Sequence, residues 1–210
     1  MTGAGRKRVV VPVSGGGSNL QALIQAAEAP DCPFAIVAVI SNRPGVRALE
    51  RAAAAGIPAL VIDHTGFASR EAFDAALSDA IAGFQPDYVA LAGFMRVLTA
   101  GFTERWNGRL VNIHPALLPS FKGLHTHRRA LEAGVAVHGC TVHWVSAGVD
   151  EGAIIGQGAV PVLPGDTEDS LAARVLAMEH RLYPACLTAL CHGRPALPPA
   201  LPLALLDPAG

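Results

Sequence analysis

From Val9 onwards, short apolar runs alternate with longer amphipathic stretches, and nothing else restricts the fold of this chain as much. Val9–Val13, Phe34–Ile40, Ala59–Ile62, a run within Asp87–Phe94, and RLVNIH ending at His114 read as strands. A strand that is apolar at nearly every position must be covered on both faces. That condition is met by a parallel sheet between two helix layers. The stretches between them, Ser18–Ala29, Val46–Ala55, Ser69–Gly83, Thr99–Trp106 and His125–Ala133, read as helices, with Thr167–Leu190 a longer one kinked near Pro184. GCTVHWV and IIGQGAVPV are further strands that could pair. The expected class is therefore α/β, a Rossmann-like and mostly parallel sheet with helices on both faces. Pro12 disagrees, because a central strand should not lack a donor. It must fall at a non-pairing position or distort the strand.

A chain of 210 residues can bury a sizeable core as one domain, expected over 1–193, with a proline-rich tail over 194–210. The net charge of -1 argues against nucleic acid or an anionic membrane as the main partner. Cys32, Cys140, Cys186 and Cys191 show no metal-binding or redox spacing and are expected to be reduced thiols. Neither the N-terminal apolar run nor the tail is long enough to be a secretion signal or a membrane span. A cytoplasmic enzyme, monomer or homodimer, is the expectation.

SGGGSN (Ser14 to Asn19) leaves the first strand and opens a helix, with Ser18 and Gln21 in capping-box spacing. Free N–H groups and the helix dipole make such a junction a natural phosphate site, although a tight turn with a capped helix fits equally. A dinucleotide fingerprint would need glycine where Leu20 stands and an acid at the end of the second strand, where Ser41, Asn42 and Arg43 stand. Nicotinamide is therefore disfavoured, and the absence of a Walker sequence argues against ATP.

Asn112 and His114 stand two apart at the end of a strand, so their side chains face one volume. Pro115 and Pro119 make the stretch after His114 a loop. Of the eight histidines, His125, His127, His138 and His143 lie near by in sequence, without an acidic metal motif. They are expected to be hydrogen-bonded polar residues, and no metal is expected. Asp150, in the loop before the last strand, could hold His114 in its charged form, but spacing does not place the two together. With no nucleophile elbow and no activated cysteine, the chemistry would be direct attack between bound substrates, with Asn112 and His114 polarising an oxygen.

SGGGSNLQ, AGFMRVL, LVNIHPALLPSFKGLHTHRRALEAG, HGCTVHWV and DEGAIIGQGAVPV occur in this order. Together they resemble the phosphoribosylglycinamide formyltransferases, folate-dependent enzymes of purine synthesis. The resemblance implies the formyltransferase fold. It also implies transfer of a formyl group from 10-formyltetrahydrofolate, as co-substrate, to the amine of glycinamide ribonucleotide. It makes Asn112, His114 and Asp150 catalytic. Gly17, Ser18 and Asn19 would hold the ribonucleotide phosphate, with Leu176, Ala177, Met178 and Glu179 beside that substrate. Arg70, Met95, Arg96, Val97 and Leu98, with Asn112 and the loop Ser146, Ala147, Gly148, Val149 and Asp150, would face the folate. Without the resemblance, Met95–Leu98 reads as core or helix lead-in, and Arg70 and Glu179 as solvated helix charges. A 10-formyltetrahydrofolate hydrolase would be expected to carry an extra N-terminal domain, and an initiator-tRNA formyltransferase a basic C-terminal one. The other alternative is a non-catalytic nucleotide-binding protein.

Overall fold

The computed structural model describes residues 5–194. The expected proline-rich tail lies outside them apart from Arg194. Seven strands form one sheet in the order β3-β2-β1-β4-β5-β6-β7. They are β1 (Lys7–Val13), β2 (Phe34–Ser41), β3 (Ala59–Val61), β4 (Tyr88–Leu91), β5 (Leu110–His114), β6 (Val137–Trp144) and β7 (Ile154–Pro161). The first five pair in parallel, and β6 runs antiparallel to both β5 and β7. The helices are α1 (Ser18–Ala27), α2 (Arg47–Ala54), α3 (Arg70–Gly83), α4 (Ala100–Arg105), α5 (Thr126–Glu132) and α6 (Glu168–Cys191).

Strand residues divide between two cores, as continuous apolar runs require. Val9, Val11, Ala90, Val111 and Ile113 pack beneath α1 and α6. Val10, Val89, Leu91 and Leu110 pack beneath Phe73, Leu77 and Ile81 of α3 and Phe102 of α4. Each large side chain so buried contributes roughly 1.5–3 kcal/mol. The long helix α6 starts from a capping box in which Thr167 and Ser170 exchange hydrogen bonds, and it runs unbroken across Pro184. Its buried Tyr183 hydroxyl donates to the Leu91 carbonyl at 2.9 Å, which fixes α6 against the end of β4.

One local expectation fails and another is met. Ser18 does not cap α1: Gly17 is the cap residue, in left-handed conformation, with no side-chain cap. The Ser18–Gln21 pair therefore closes no capping box, and the first N–H groups of α1 stay open. Pro12 pairs in register with Ile40, and its carbonyl accepts from Ala92 N at 3.0 Å. Its missing donor thus points to the β4 side, where the ladder ends at Val10. A register shift at Val9/Val10 accompanies it.

Parallel strands bring their C-terminal ends to one edge. The chain leaves β1 towards β2 on one side and returns through β4 on the other, so a crevice opens between β1 and β4. The glycine turn, the loop after β4 and the end of β5 all meet there. Met95 N donates to Ser14 Oγ at 2.8 Å across the crevice.

Candidate active site

The end of β5 positions two polar side chains on one face, and β6 supplies a third. Asn112 pairs with His143 across the antiparallel ladder. The Asn112 amide nitrogen lies 3.4 Å from His143 Nε2. His143 Nδ1 donates to the Trp144 carbonyl at 2.9 Å, which leaves Nε2 as the acceptor. Burial pushes the His143 imidazole down, so the ring is neutral and holds Asn112 with its amide as donor.

His114 is 5% exposed. Its Nε2 donates to the Phe121 carbonyl at 3.1 Å, and its Nδ1 lies 3.3 Å from Asp150 Oδ2. Both ring nitrogens face acceptors, an arrangement satisfied by the doubly protonated ring. The same Asp150 oxygen accepts from Gly123 N at 2.9 Å, and Oδ1 lies 3.7 Å from His143 Nε2. Asn112, His114 and Asp150 are therefore together, with His143 touching two of them. Phe121, His125 and Asp150 have φ of 54, 56 and 53, a left-handed conformation that L residues seldom adopt. Such strain, about 1–3 kcal/mol per residue, persists where surrounding structure over-determines it. The Asp150 loop is tightly held: a Cβ on Gly152 would stand 1.5 Å from the Trp144 carbonyl oxygen. Beside Asp150 opens a cleft of about 390 Å³, lined also by Leu118, Pro119, Lys122 and Ile154.

On one side of this centre the loop after β4 exposes apolar surface. Met95, Val97 and Val149 are 64%, 54% and 51% exposed, while Leu98 is buried in the α3 core. Asp74 accepts from Thr99 N at 2.7 Å and fixes the loop's end. The Arg96 guanidinium lies 5.0 Å over the Phe73 ring. Arg70 opens α3 one turn before Phe73, so both arginines belong to one corner. Ser146 and Ala147 are exposed and Gly148 is half-buried, where a Cβ would meet the Glu151 carboxylate at 2.1 Å.

On the other side lies the glycine turn. A Cβ on Gly17 would stand 2.7 Å from that of Ala48, and φ there is 69. Gly17 is thus required twice, by conformation and by the close approach of α2. Arg51 of α2 braces the turn, donating to the Gly16 carbonyl at 2.9 Å and to Gln21 Oε1 at 2.8 Å. Gly15 and Gly16 face open space. Asn19 donates to Glu179 Oε2 at 2.7 Å, and both are buried. Burial pushes Glu179 up to about 7, against the lowering effect of the Asn19 amide. The Asn19 carbonyl oxygen is buried without a partner. Leu176 is half-buried and Met178 packs on Gly158. Ala177 is exposed, about 200° round the helix from Glu179, so its side chain is not brought to this corner.

Residues 7–187 match the family model described as formyl transferase. The chain belongs to the formyltransferase family. This formyltransferase is 47% identical to the phosphoribosylglycinamide formyltransferase of Escherichia coli, over 89% of this chain and 88% of that one. It is 55% identical to the trifunctional purine biosynthetic protein adenosine-3 of Drosophila melanogaster, over 92% of this chain but 14% of that protein. The first curated relatives it matches are therefore several times longer than the region it spans. Among solved structures, glycinamide ribonucleotide transformylase 1 of Symbiobacterium toebii superposes with a TM-score of 0.88 at 48% identity, covering 90% of this chain and 89% of that one.

Sequence reasoning on this formyltransferase missed His143, the Phe121 carbonyl and the Gly123 N–H. The first needed the β5–β6 register, and the other two are main-chain groups without a residue-type signal. It also expected satisfied histidines, and His138 is not one. At 1% exposure, neither of its nitrogens makes a hydrogen bond of normal geometry, and its ring packs edge-on to Phe121 and His127. Burial pushes His138 down to about 4, with His127 and His114 adding to the effect. Burial lowers His127, His143 and His180 as well. Below about 6.5 the unfolded chain therefore binds more protons at these four rings, down to about 4 at His138, and their contribution to stability is lost as pH falls. Glu179, raised to about 7, acts in the opposite sense between about 4.5 and 7 but is one group against four. The denaturation midpoint should drop between pH 7 and pH 5, with a shallower drop in His138→Leu. A midpoint constant over that range would contradict this assignment.

The thiols offer no rival chemistry. All four are free, and burial pushes Cys186 and Cys191 up to about 12. Among the described residues, no helix is long and apolar enough to cross a membrane.

Proposed function

We propose that this formyltransferase moves a formyl group from 10-formyltetrahydrofolate to the amine of glycinamide ribonucleotide, within de novo purine synthesis. The products are formylglycinamide ribonucleotide and tetrahydrofolate. The observation that carries the reading is the meeting of an amide donor, an imidazole and a carboxylate at the end of β5, between an apolar rim and an anion-accepting turn.

The ribonucleotide phosphate sits on the open N–H groups of Gly17, Ser18 and Asn19. Glu179, oriented by Asn19, accepts hydrogen bonds from the same substrate. The folate ring lies against Met95–Leu98 and Ser146–Asp150, with Arg70 and Arg96 towards its anionic end. The amine attacks the formyl carbon, and the C=O electron pair moves to oxygen. Asn112 Nδ2–H stabilises that oxyanion by a few kcal/mol, and His114 Nδ1–H, which faces Asp150 Oδ2 in the free protein, is shared with it as a second donor. The Phe121 carbonyl holds the other imidazole nitrogen, so the ring keeps its direction. Asp150 takes the proton of the new ammonium, directly or through water. Collapse re-forms the C=O bond and breaks the bond to the folate nitrogen, which leaves with the proton that Asp150 took from the ammonium. The formyl carbon keeps its oxidation level, so the step needs neither nicotinamide nor ATP. Residues 1–193 act as one such domain, cytoplasmic, as monomer or homodimer.

Mixing the protein with 10-formyltetrahydrofolate, with and without glycinamide ribonucleotide, tests this. Formyl loss only with the ribonucleotide is expected. Loss without it would mean a hydrolase, and no loss at all a nucleotide-binding protein. Asn19→Ala should raise the ribonucleotide KM about 10- to 100-fold, because it leaves Glu179 without its donor. The folate KM should stay within about twofold; if it alone changes, the phosphate corner is misassigned.

A further inference from the structure

The His114–Asp150 pair is spanned by a strap of main chain, Phe121 to Leu124, that touches both members. The Phe121 carbonyl accepts from His114 Nε2 at 3.1 Å, and Gly123 N donates to Asp150 Oδ2 at 2.9 Å. Lifting this strap would release the imidazole and the carboxylate together. Its conformation is not one the residues choose freely, since Phe121 has φ 54. Something must hold it.

We propose that Arg129 is a positioning residue for the catalytic pair, acting by clamping this strap. Arg129 is an exposed residue of α5, four residues after His125 and beside the face that buries Thr126 and Ala130. Its Nη1 donates to the Lys122 carbonyl at 2.6 Å and reaches the Leu124 carbonyl at 3.5 Å. Its guanidinium stands 5.7 Å over the Phe121 ring. One side chain thus grips the ring of one strap residue and the carbonyls of two others. Among the described residues no carboxylate forms a salt bridge with it, so its charge is spent on main-chain oxygens and a π face. The pair Lys122–Glu151 at 3.0 Å is a second tie to this strap, made between side chains and not to its main chain. Small misplacement of a catalytic group is expensive in rate, so a clamp outside the site can matter to turnover without touching substrate.

The inference rests on the proposed formyl transfer, but one of its tests does not. Arg129→Ala should lower kcat about 10-fold with both KM values within about twofold, and Arg129→Lys should recover part of that loss through its cation. Amide hydrogen exchange at Gly123, followed by NMR in the free protein, should quicken about 10-fold in Arg129→Ala. Unchanged kcat in Arg129→Ala overturns the proposal, whether or not the melting temperature falls, because a merely structural role would leave turnover intact. Unchanged Gly123 exchange also overturns it, since the strap would then not depend on Arg129. If the wild type transfers no formyl group, the functional reading fails, and the exchange experiment still decides whether Arg129 holds the strap.

Discussion

His114→Ala is expected to lower turnover by about two to four orders of magnitude, with both substrates still bound. The substitution removes the donor aimed at the developing oxyanion and the partner of Asp150 in a single step. The binding groups lie elsewhere: the phosphate turn is on α1, and the apolar rim follows β4 and β6. The structural consequence is bounded. The ring is buried at the strand's end, and its loss leaves the Phe121 carbonyl without a donor while Asp150 keeps Gly123 N. An orphaned buried acceptor costs about 1–3 kcal/mol, enough to lower the melting temperature without abolishing the fold. Steady-state kinetics with both substrates varied, alongside thermal melting, separates the two effects. A kcat within about threefold of the native enzyme would remove His114 from the chemistry.

The parallel core was legible because its signal is local. Continuous apolar strands between amphipathic helices have few other solutions, and even the order of elements follows from them. The side chains at Asn112 and His114 were legible for the same reason, as i and i+2 on one strand share a face. The partners of that pair were harder. Asp150 lies 36 residues beyond His114 in the chain, and only the antiparallel turn from β6 to β7 folds its loop back. Without the family resemblance the pairing was one possibility among several. His143 depends on a ladder register that residue types do not specify. Its hydrogen bond to Trp144 O and its neutral ring become visible only with the neighbours in place. Ser18 shows the opposite failure. Its spacing to Gln21 imitates a capping box, but a left-handed Gly17 takes the cap, because α2 packs so close that no side chain fits there. The local rule lost to tertiary packing, and the losing side is where an anion is proposed to sit.

Asp150→Asn should reduce kcat about 100- to 1,000-fold while leaving the melting temperature and both KM values close to native. The reason lies in how its two oxygens are used. His114 Nδ1 and Gly123 N both face Oδ2, whereas Oδ1 faces only His143 Nε2, at 3.7 Å. An asparagine placed with its carbonyl at the Oδ2 position keeps both of those acceptor contacts. Its amide then points towards His143 Nε2 at the long distance of 3.7 Å, where it shares with the Asn112 amide the one lone pair of a neutral ring. The substitution is therefore nearly isosteric and leaves no donor facing a donor. What it removes is the negative charge and the ability to take a proton. The charge faces His114 Nδ1 at 3.3 Å, and the proton acceptor is needed when the attacking amine becomes an ammonium. Both losses fall on the chemical step. A crystal structure or amide spectrum matching the native one, together with a large fall in kcat, would isolate the carboxylate's chemistry from its architecture. If Asp150→Asn instead keeps native turnover, a neutral amide suffices at this position, and the proton must leave by a route that does not pass through Asp150.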